Sequence, residues 1–216
     1  MRLFFLSVVA GLSALSGAQA SPQIEQAAVT TPAVSETTGH GFIADYGFTI
    51  APLAFVKFCM NNAAECEAKT SASSEAEFTL KELDAINRQV NDAISPRRKP
   101  TDPLASNWTV SPSSGDCNDY AVTKRSRLIA AGWPSERLRL AAVITPTGQG
   151  HLVLVARTNG GDMVLDNLSA AVTPWQDTKY DWLSMQSAEN PRYWVAVGER
   201  GRLRQQKFQV LASIVK

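Results

Sequence analysis

The chain has 216 residues, of which 44% are hydrophobic and 19% charged. Its 21 basic residues balance 20 acidic ones to a formal charge of +1, so no long-range field attracts nucleic acid or an anionic surface. Length and composition fit one globular domain, and no segment after the N-terminus is long and apolar enough to cross a bilayer.

The first residues are typical of a secretory signal peptide. Arg2 precedes an apolar run from Leu3 to about Leu15, and AQA at positions 18–20 is the small-x-small pattern that a signal peptidase cuts. A membrane anchor is the alternative, but the run is shorter than the roughly 20 residues that a spanning helix needs. We predict that residues 1–20 are removed and that the mature protein is periplasmic or secreted.

Residues 21–47 are rich in Ser, Thr, Ala, Pro and Gly without periodicity, which indicates a flexible lead-in. His40 lies there between two glycines, and we interpret it as a solvated loop histidine because no ligand-type neighbour stands at metal spacing. One domain is predicted from residue 48 to residue 216. It opens with an apolar stretch, Ala51 to Cys66, that fits a short helix or turn.

The three cysteines divide into a close pair and a single residue. Cys59 and Cys66 lie together in FCMNNAAEC, whereas Cys117 stands alone in SSGDCNDY. Oxidising compartments pair thiols where geometry permits, so we predict a Cys59–Cys66 disulfide and a free Cys117. A free thiol in an exported chain risks oxidation and wrong pairing. It is either a buried spectator or a nucleophile.

A helix is predicted to begin after Thr79. Thr79 and Glu82 match a capping box, and Pro96 ends the pattern. Its core-facing stripe recurs at three- and four-residue steps: Leu83, Ile86, Val90 and Ile94. The proline-containing loop that follows carries three basic residues that we interpret as a solvated surface: Arg97, Arg98 and Lys99.

A second helix is predicted from about Cys117 to Ala131. Gly115 precedes it and Gly132 offers a C-terminal cap. Four residues can face inward: Tyr120, Ala121, Leu128 and Ile129. The free N–H groups and the positive end of the macrodipole at its start favour a thiolate at Cys117.

Strand-like segments follow, at residues 138–144, 151–155 and 163–165. Asn159 and Gly160 form a two-residue hairpin turn that pairs Thr158 with Gly161. Helices therefore come first and an antiparallel sheet second. This order predicts an α+β fold in which N-terminal helices pack on an antiparallel β-sheet.

His151 opens the first arm of this hairpin and is the predicted base for Cys117. The turn at 159–160 places Asp166 diagonally across from His151 on the same face, although a bulge at Gly161 would shift that register by one. Asp166 would then hold the imidazole in the tautomer whose other nitrogen takes the thiol proton. Zinc is disfavoured because no second Cys or His lies at ligand spacing near either residue.

Several stretches resemble a known family. They are GDCNDYAVTKRSRLIAAGWPSERLRLAAV, GHLVL, VLDNL and the PW of Pro174-Trp175, with looser similarity in FCMNNAAEC and INRQVNDAI. Across about residues 51–197 the order Cys, His, Asp is similar to that of the bacterial transglutaminase-like cysteine peptidases. The resemblance implies a papain-like, transglutaminase-type core, with the nucleophile helix packed on a sheet that bears His and Asp.

The resemblance also implies a catalytic triad of Cys117, His151 and Asp166 that hydrolyses a peptide bond through an acyl-enzyme. The Cys117 backbone N–H is a candidate oxyanion donor. Trp108 resembles a family tryptophan upstream of the nucleophile and would support the oxyanion, the alternative being that it fills the core.

The resemblance further implies calcium held by acidic residues beside the cysteine, here Asp116 and Asp119. Asn118 stands where an acidic residue is common, and the lost negative charge weakens calcium affinity, so calcium is an option but no cofactor is taken as required. Well-known relatives are periplasmic proteases that release a surface adhesin. The implied partner is a protein substrate at the cell envelope, without nucleic acid and without a membrane span after signal removal.

Functions of different classes remain open at this stage. The first is an exported cysteine peptidase, with amidase and acyl-transferase variants that the sequence cannot separate. The second is a non-catalytic binding module on the same fold. They differ in the reactivity of Cys117, which a histidine partner raises in an enzyme and which stays ordinary in a binding module.

Overall fold

The computed structural model describes residues 41–70, 79–100, 102 and 105–214. The predicted signal peptide, most of the lead-in and His40 lie outside the described residues. The helices are α1 (Leu53–Asn61), α2 (Leu80–Ala93), α3 (Cys117–Ala130) and α4 (Gly198–Ile214). The strands are β1 (Asp45–Thr49), β2 (Ser95–Pro96), β3 (Ser114–Gly115), β4 (Leu138–Ile144), β5 (Gly150–Thr158), β6 (Gly161–Leu165), β7 (Thr173–Pro174), β8 (Asp181–Gln186) and β9 (Trp194–Val197).

Seven of these strands form one sheet in the order β1-β9-β8-β4-β5-β6-β7, and every neighbouring pair is antiparallel. The predicted α+β class is confirmed. The predicted turn is also confirmed, because Thr158 pairs with Gly161 across the β5–β6 hairpin. Within the described residues, no helix has the length and apolar character needed to cross a membrane.

The central strands are apolar on both faces. Leu138 and Leu140 of β4 belong to a core cluster that includes residues of α1 and α3, whereas Ala141 and Val143 belong to a second cluster. Because successive side chains of a strand point to opposite faces, these clusters lie on opposite sides of the sheet. Helix α3 packs on β4 and β5, and α4 packs along β1, β8 and β9.

The two predicted helices form, with one change at a cap. Thr79 Oγ1 accepts a hydrogen bond from Glu82 N at 3.2 Å, so the threonine half of the predicted capping box is present. The Glu82 carboxylate instead accepts from Trp133 Nε1 at 2.8 Å. A long-range contact with a buried indole thus replaces the local one.

A two-stranded parallel sheet leads into α3. Ser95 of β2 pairs with Ser114 of β3, and Arg97 N donates to Gly115 O at 2.8 Å. The loop after α2 is therefore held beside the residues that precede Cys117. The structure also places Ile43 N against Asp162 Oδ2 at 2.8 Å, so the chain contacts the sheet before the predicted domain boundary at residue 48.

Cys59 and Cys66 form a disulfide with their Cα atoms 5.6 Å apart, joining α1 to the short turn Ala63–Cys66. We expect the Cys59→Ser/Cys66→Ser variant to lose about 2 to 3 kcal/mol of unfolding free energy, because the closed loop is short. Urea denaturation measures this loss. Cys117→Ser is the matched control, since it makes the same substitution without opening a bridge. Equal stability of the double variant and the wild type would contradict the prediction.

Candidate active site

Cys117 is the first residue of α3, and two acidic side chains build that helix start. Asp116 is the N-cap, and its Oδ1 accepts from Asn118 N at 3.1 Å. Asp119 Oδ2 accepts from Asp116 N at 2.9 Å, which completes a capping box. The Cys117 thiol is free and partly buried. Its backbone N–H lies in the first turn, where N–H groups have no partner within the helix.

The structure brings His151 and Asp166 together as predicted. His151 Nε2 lies 2.8 Å from Asp166 Oδ1, and the two side chains are 6% and 5% exposed. The Cys117 thiol acts on the same imidazole, since its interaction with the ring is one of the causes that raise the pKa of His151. Because Asp166 takes Nε2, Nδ1 is the ring nitrogen available to the sulfur. The three residues therefore form a chain of contacts from carboxylate to imidazole to thiol.

These contacts favour the charged forms of His151 and Asp166. Burial lowers the pKa of His151, but hydrogen bonds and charge interactions with Asp166 and Cys117 outweigh it and raise that pKa to about 9. Burial opposes ionisation of Asp166, yet the bond to His151 and the imidazolium charge hold the pKa of Asp166 below its usual value. At neutral pH the site holds an imidazolium beside a carboxylate.

Tyr180 is a further site residue that the sequence analysis missed. Its hydroxyl donates to Asp166 Oδ2, and its ring meets the His151 ring edge-on with centroids 5.9 Å apart. Leu168 N donates to Asp166 Oδ1 at 3.0 Å. Both carboxylate oxygens are thus hydrogen bonded. Burial, followed by the bond and charge of Asp166, raises the pKa of Tyr180, so it remains a donor at neutral pH.

A polar row on α2 holds the loop that carries Asp166. Asn91 Nδ2 donates to Asp166 O at 3.0 Å and to Ser169 O at 3.2 Å. Asn87 is fully buried, and its Nδ2 donates to Ser169 O at 3.0 Å. Asp84 Oδ1 accepts from Val172 N at 3.1 Å. The spacing of these α2 residues, beside the apolar stripe, is the sequence signal that could have found them.

Trp108 packs as a core residue and still presents a donor. It is 6% exposed, and its ring lies 5.9 Å from Phe55 and 6.0 Å from Phe58 between centroids. Among the described residues its buried Nε1 has no acceptor. Thr109 N, the next backbone donor, bonds to Asp119 Oδ1 at 2.8 Å. The Trp108 segment is therefore fixed to the first turn of the nucleophile helix.

Lys124 is a buried cation on the same helix. It is 1% exposed, and its Nζ has no hydrogen-bond partner among the described residues. Burial lowers the pKa of Lys124 to about 7, and the charge of Asp166 opposes that effect. Composition gives no sign that a lysine of α3 faces inward.

The interpretation of the basic loop as solvated is wrong for Lys99. Its side chain is 10% exposed, and Nζ lies 2.5 Å from Oδ1 of Asp119, whose side chain is 0% exposed. Lys99 Nζ also donates to the backbone carbonyl of Asn107. The reason is the pairing of β2 with β3, which directs this loop to the start of α3. Arg97 and Arg98 are exposed, as predicted.

The residues implied as calcium ligands do not fit that ion. Asp119 Oδ1 accepts from Lys99 Nζ and Thr109 N, and Oδ2 accepts from Asp116 N. Calcium requires six to eight oxygen ligands, and here it would have to displace an ammonium group. In the described part of the chain, no group of three or more His, Cys, Asp or Glu is arranged to hold a metal. Burial and the Asp119 charge raise the pKa of Asp116, which further disfavours a free carboxylate ligand.

A family model described as bacterial transglutaminase-like cysteine proteinase matches residues 45–202. Similar solved structures include LapG from Legionella pneumophila, with 25% identity and a TM-score of 0.43 over 53% of this chain and 66% of that chain. The EGTA-treated form of that protein has 26% identity and a TM-score of 0.43, over 55% of this chain and 70% of that chain. Its calcium-bound form has 21% identity and a TM-score of 0.45, over 68% of this chain and 82% of that chain. No curated protein matches the chain. At TM-scores below 0.5 these structures are distant, and the family match alone assigns the chain.

The site predicts an unusual titration of His151. Because its pKa is raised to about 9, the folded state stabilises the imidazolium, in full below about pH 6.5 and less as pH rises through about 9. We expect NMR of histidine-labelled protein to show His151 protonated at neutral pH with a midpoint near that value. His40→Ala assigns the two histidine signals. In Asp166→Asn the midpoint should fall toward about 6.5 or below. A wild-type midpoint at or below about 6.5 would contradict the prediction.

Proposed function

Because the chain belongs to the bacterial transglutaminase-like cysteine proteinase family, we propose that Cys117, His151 and Asp166 are its catalytic triad. The family is one of cysteine peptidases, and the proposed reaction is hydrolysis of a peptide bond. The observation that carries the proposal is the 2.8 Å contact of His151 Nε2 with Asp166 Oδ1, in an imidazole whose pKa the Cys117 thiol also raises. A nucleophile, a base and an orienting carboxylate are the parts that acyl transfer needs.

The first step is attack by sulfur. With the thiol proton already held on His151 Nδ1 as part of the imidazolium, the thiolate attacks the carbonyl carbon of the scissile bond. A C–S bond forms and the carbonyl π electrons move to oxygen. We assign that oxyanion to the Cys117 backbone N–H in the first turn of α3, with the indole Nε1 of Trp108, which has no acceptor among the described residues, as a second candidate donor.

The second step releases the amine. The His151 imidazolium gives its proton to the leaving nitrogen as the C–N bond breaks, which leaves an acyl group on Cys117. Water then attacks the thioester, with His151 as base, and the carboxylate product leaves as the thiol is restored. Asp166, held by Tyr180 and Leu168, keeps the ring oriented through both proton transfers.

The proposed substrate is a protein of the bacterial envelope, met in the periplasm or outside the cell. The predicted signal peptide at residues 1–20 supports this location. The Cys59–Cys66 disulfide also supports it, because such bonds persist in oxidising compartments. The family assignment favours an enzyme over the non-catalytic binding module.

Alkylation of Cys117 tests the pair directly, because the other two cysteines are bridged. We expect iodoacetamide to label wild-type Cys117 at about pH 6 much faster than N-acetylcysteine, since an adjacent histidine activates a cysteine nucleophile. His151→Ala should slow labelling about tenfold or more, whereas His40→Ala should not change it. Mass spectrometry assigns the modified residue. Equal rates in the wild type and His151→Ala would contradict the proposed triad.

Peptide-bond hydrolysis is tested by the new termini that it creates. Wild-type protein incubated with a bacterial envelope fraction should produce new N-terminal amines at a small set of sites, identified by N-terminal labelling and mass spectrometry. Cys117→Ala, which keeps the helix start but lacks sulfur, is the control and should produce none. An amidase would release ammonia without new N-termini, and an acyl transferase would join two chains. If Cys117 is reactive and either of these results is found, the proposed peptidase activity would be replaced by amidase or acyl-transferase activity.

A further inference from the structure

Lys99 forms a buried ion pair at the first turn of the nucleophile helix. Its Nζ lies 2.5 Å from Asp119 Oδ1, with the lysine side chain 10% exposed and the aspartate side chain 0% exposed. One ammonium group therefore neutralises the buried carboxylate that completes the capping box at the start of α3.

The same ion pair binds the backbone of both residues next to Trp108 in the chain. Before Trp108, the carbonyl of Asn107 accepts a hydrogen bond from Lys99 Nζ. After Trp108, Thr109 N donates to Asp119 Oδ1 at 2.8 Å. The backbone on both sides of Trp108 is thus bonded to one member of the pair. Any loss of the ammonium would release one of these two attachments and leave Asp119 buried without a counter-charge.

The fold delivers Lys99 to this place through backbone pairing. Pro96 pairs with Gly115, and Arg97 N donates to Gly115 O at 2.8 Å. Lys99 follows two residues later, beside the turn from Asp116 to Asp119. The β2–β3 pairing therefore fixes the backbone that leads to Lys99, and the ion pair with Asp119 fixes its ammonium group.

We propose that Lys99 is a positioning residue and a built-in cation, which holds Trp108 and the start of α3 in place and makes calcium unnecessary. Carboxylate and carbonyl oxygens are ligands that calcium prefers, and here they bind an ammonium group with three N–H donors. The inference rests on the proposed function, because the groups it positions are the nucleophile helix and a proposed oxyanion donor. It extends that function by naming how the site is kept ready.

The first test uses wild-type protein and Cys117→Ala. For each protein, we expect the midpoint of thermal unfolding in about 5 mM CaCl2 to equal the midpoint in excess EGTA to within about 1 °C. The rate of Cys117 alkylation in the wild type should also be the same in both buffers. A midpoint or an alkylation rate that rises with calcium would overturn the proposal. This arm needs no Lys99 variant, so it decides the question even if such variants do not fold.

The second test compares Lys99→Met with Arg98→Met, a matched loss of charge one residue away at an exposed position. In EGTA, Lys99→Met should slow Cys117 alkylation at about pH 6 roughly fivefold or more, and Arg98→Met should not change it. Adding about 5 mM CaCl2 should restore at least about half of the lost rate in Lys99→Met, because the vacated oxygens then bind the metal. An unaffected Lys99→Met, or one that calcium does not restore, would overturn the proposal.

The thermal midpoints separate this inference from the triad. If Cys117 proves unreactive in the wild type, the proposed function fails. The effect of calcium on the thermal midpoint of Cys117→Ala still tests the Lys99 site in that case. In Lys99→Met a midpoint that rises with calcium supports the inference independently of sulfur chemistry. A midpoint that calcium leaves unchanged would count against a cation role for Lys99.

Discussion

The register of the β5–β6 hairpin is the constraint on which the site depends. Pairing of Thr158 with Gly161, and of Leu154 with Leu165, sets Asp166 one residue beyond the last ladder pair and within 2.8 Å of His151. A slip by one residue would turn every following side chain to the other face of the sheet. Such a slip would remove the Asp166 carboxylate from the imidazole. The two-residue turn prevents it.

The nucleophile side of the site depends on a different device, the fully buried carboxylate of Asp119. It caps α3, accepts a hydrogen bond from Thr109 N and binds the Lys99 ammonium group, so one side chain joins three separate stretches of chain. Gly115 makes room for it, because an added Cβ there would lie 2.2 Å from Asp119 Oδ2. A buried charge is tolerated only when it is paired and hydrogen bonded, and Asp119 meets both conditions.

Sequence patterns could predict the parts of the site that depend on local rules. The turn at Asn159-Gly160 and the start of α3 at Cys117 come from short-range preferences, and the hairpin then brings Asp166 near His151. Tyr180 and Lys99 could not be found in this way, since they reach Asp166 and Asp119 across 14 and 20 residues of chain. Strands β1, β8 and β9 and helix α4 were not predicted either. Strand β9, the buried run WVAV, is too short to distinguish a strand from a helical segment by periodicity.

The charges around Cys117 explain why the chain needs a cation of its own. A thiolate at a helix start is stabilised by N–H groups and by imidazolium, but Asp116 and Asp119 add negative charge within two residues of it. Lys124 cannot offset them fully, because burial lowers its pKa to about 7 and its Nζ has no hydrogen-bond partner among the described residues. Lys99 has what Lys124 lacks, a carboxylate at 2.5 Å and a carbonyl acceptor. The acidic cap can therefore organise the helix start while its charge is neutralised by a residue of the same chain.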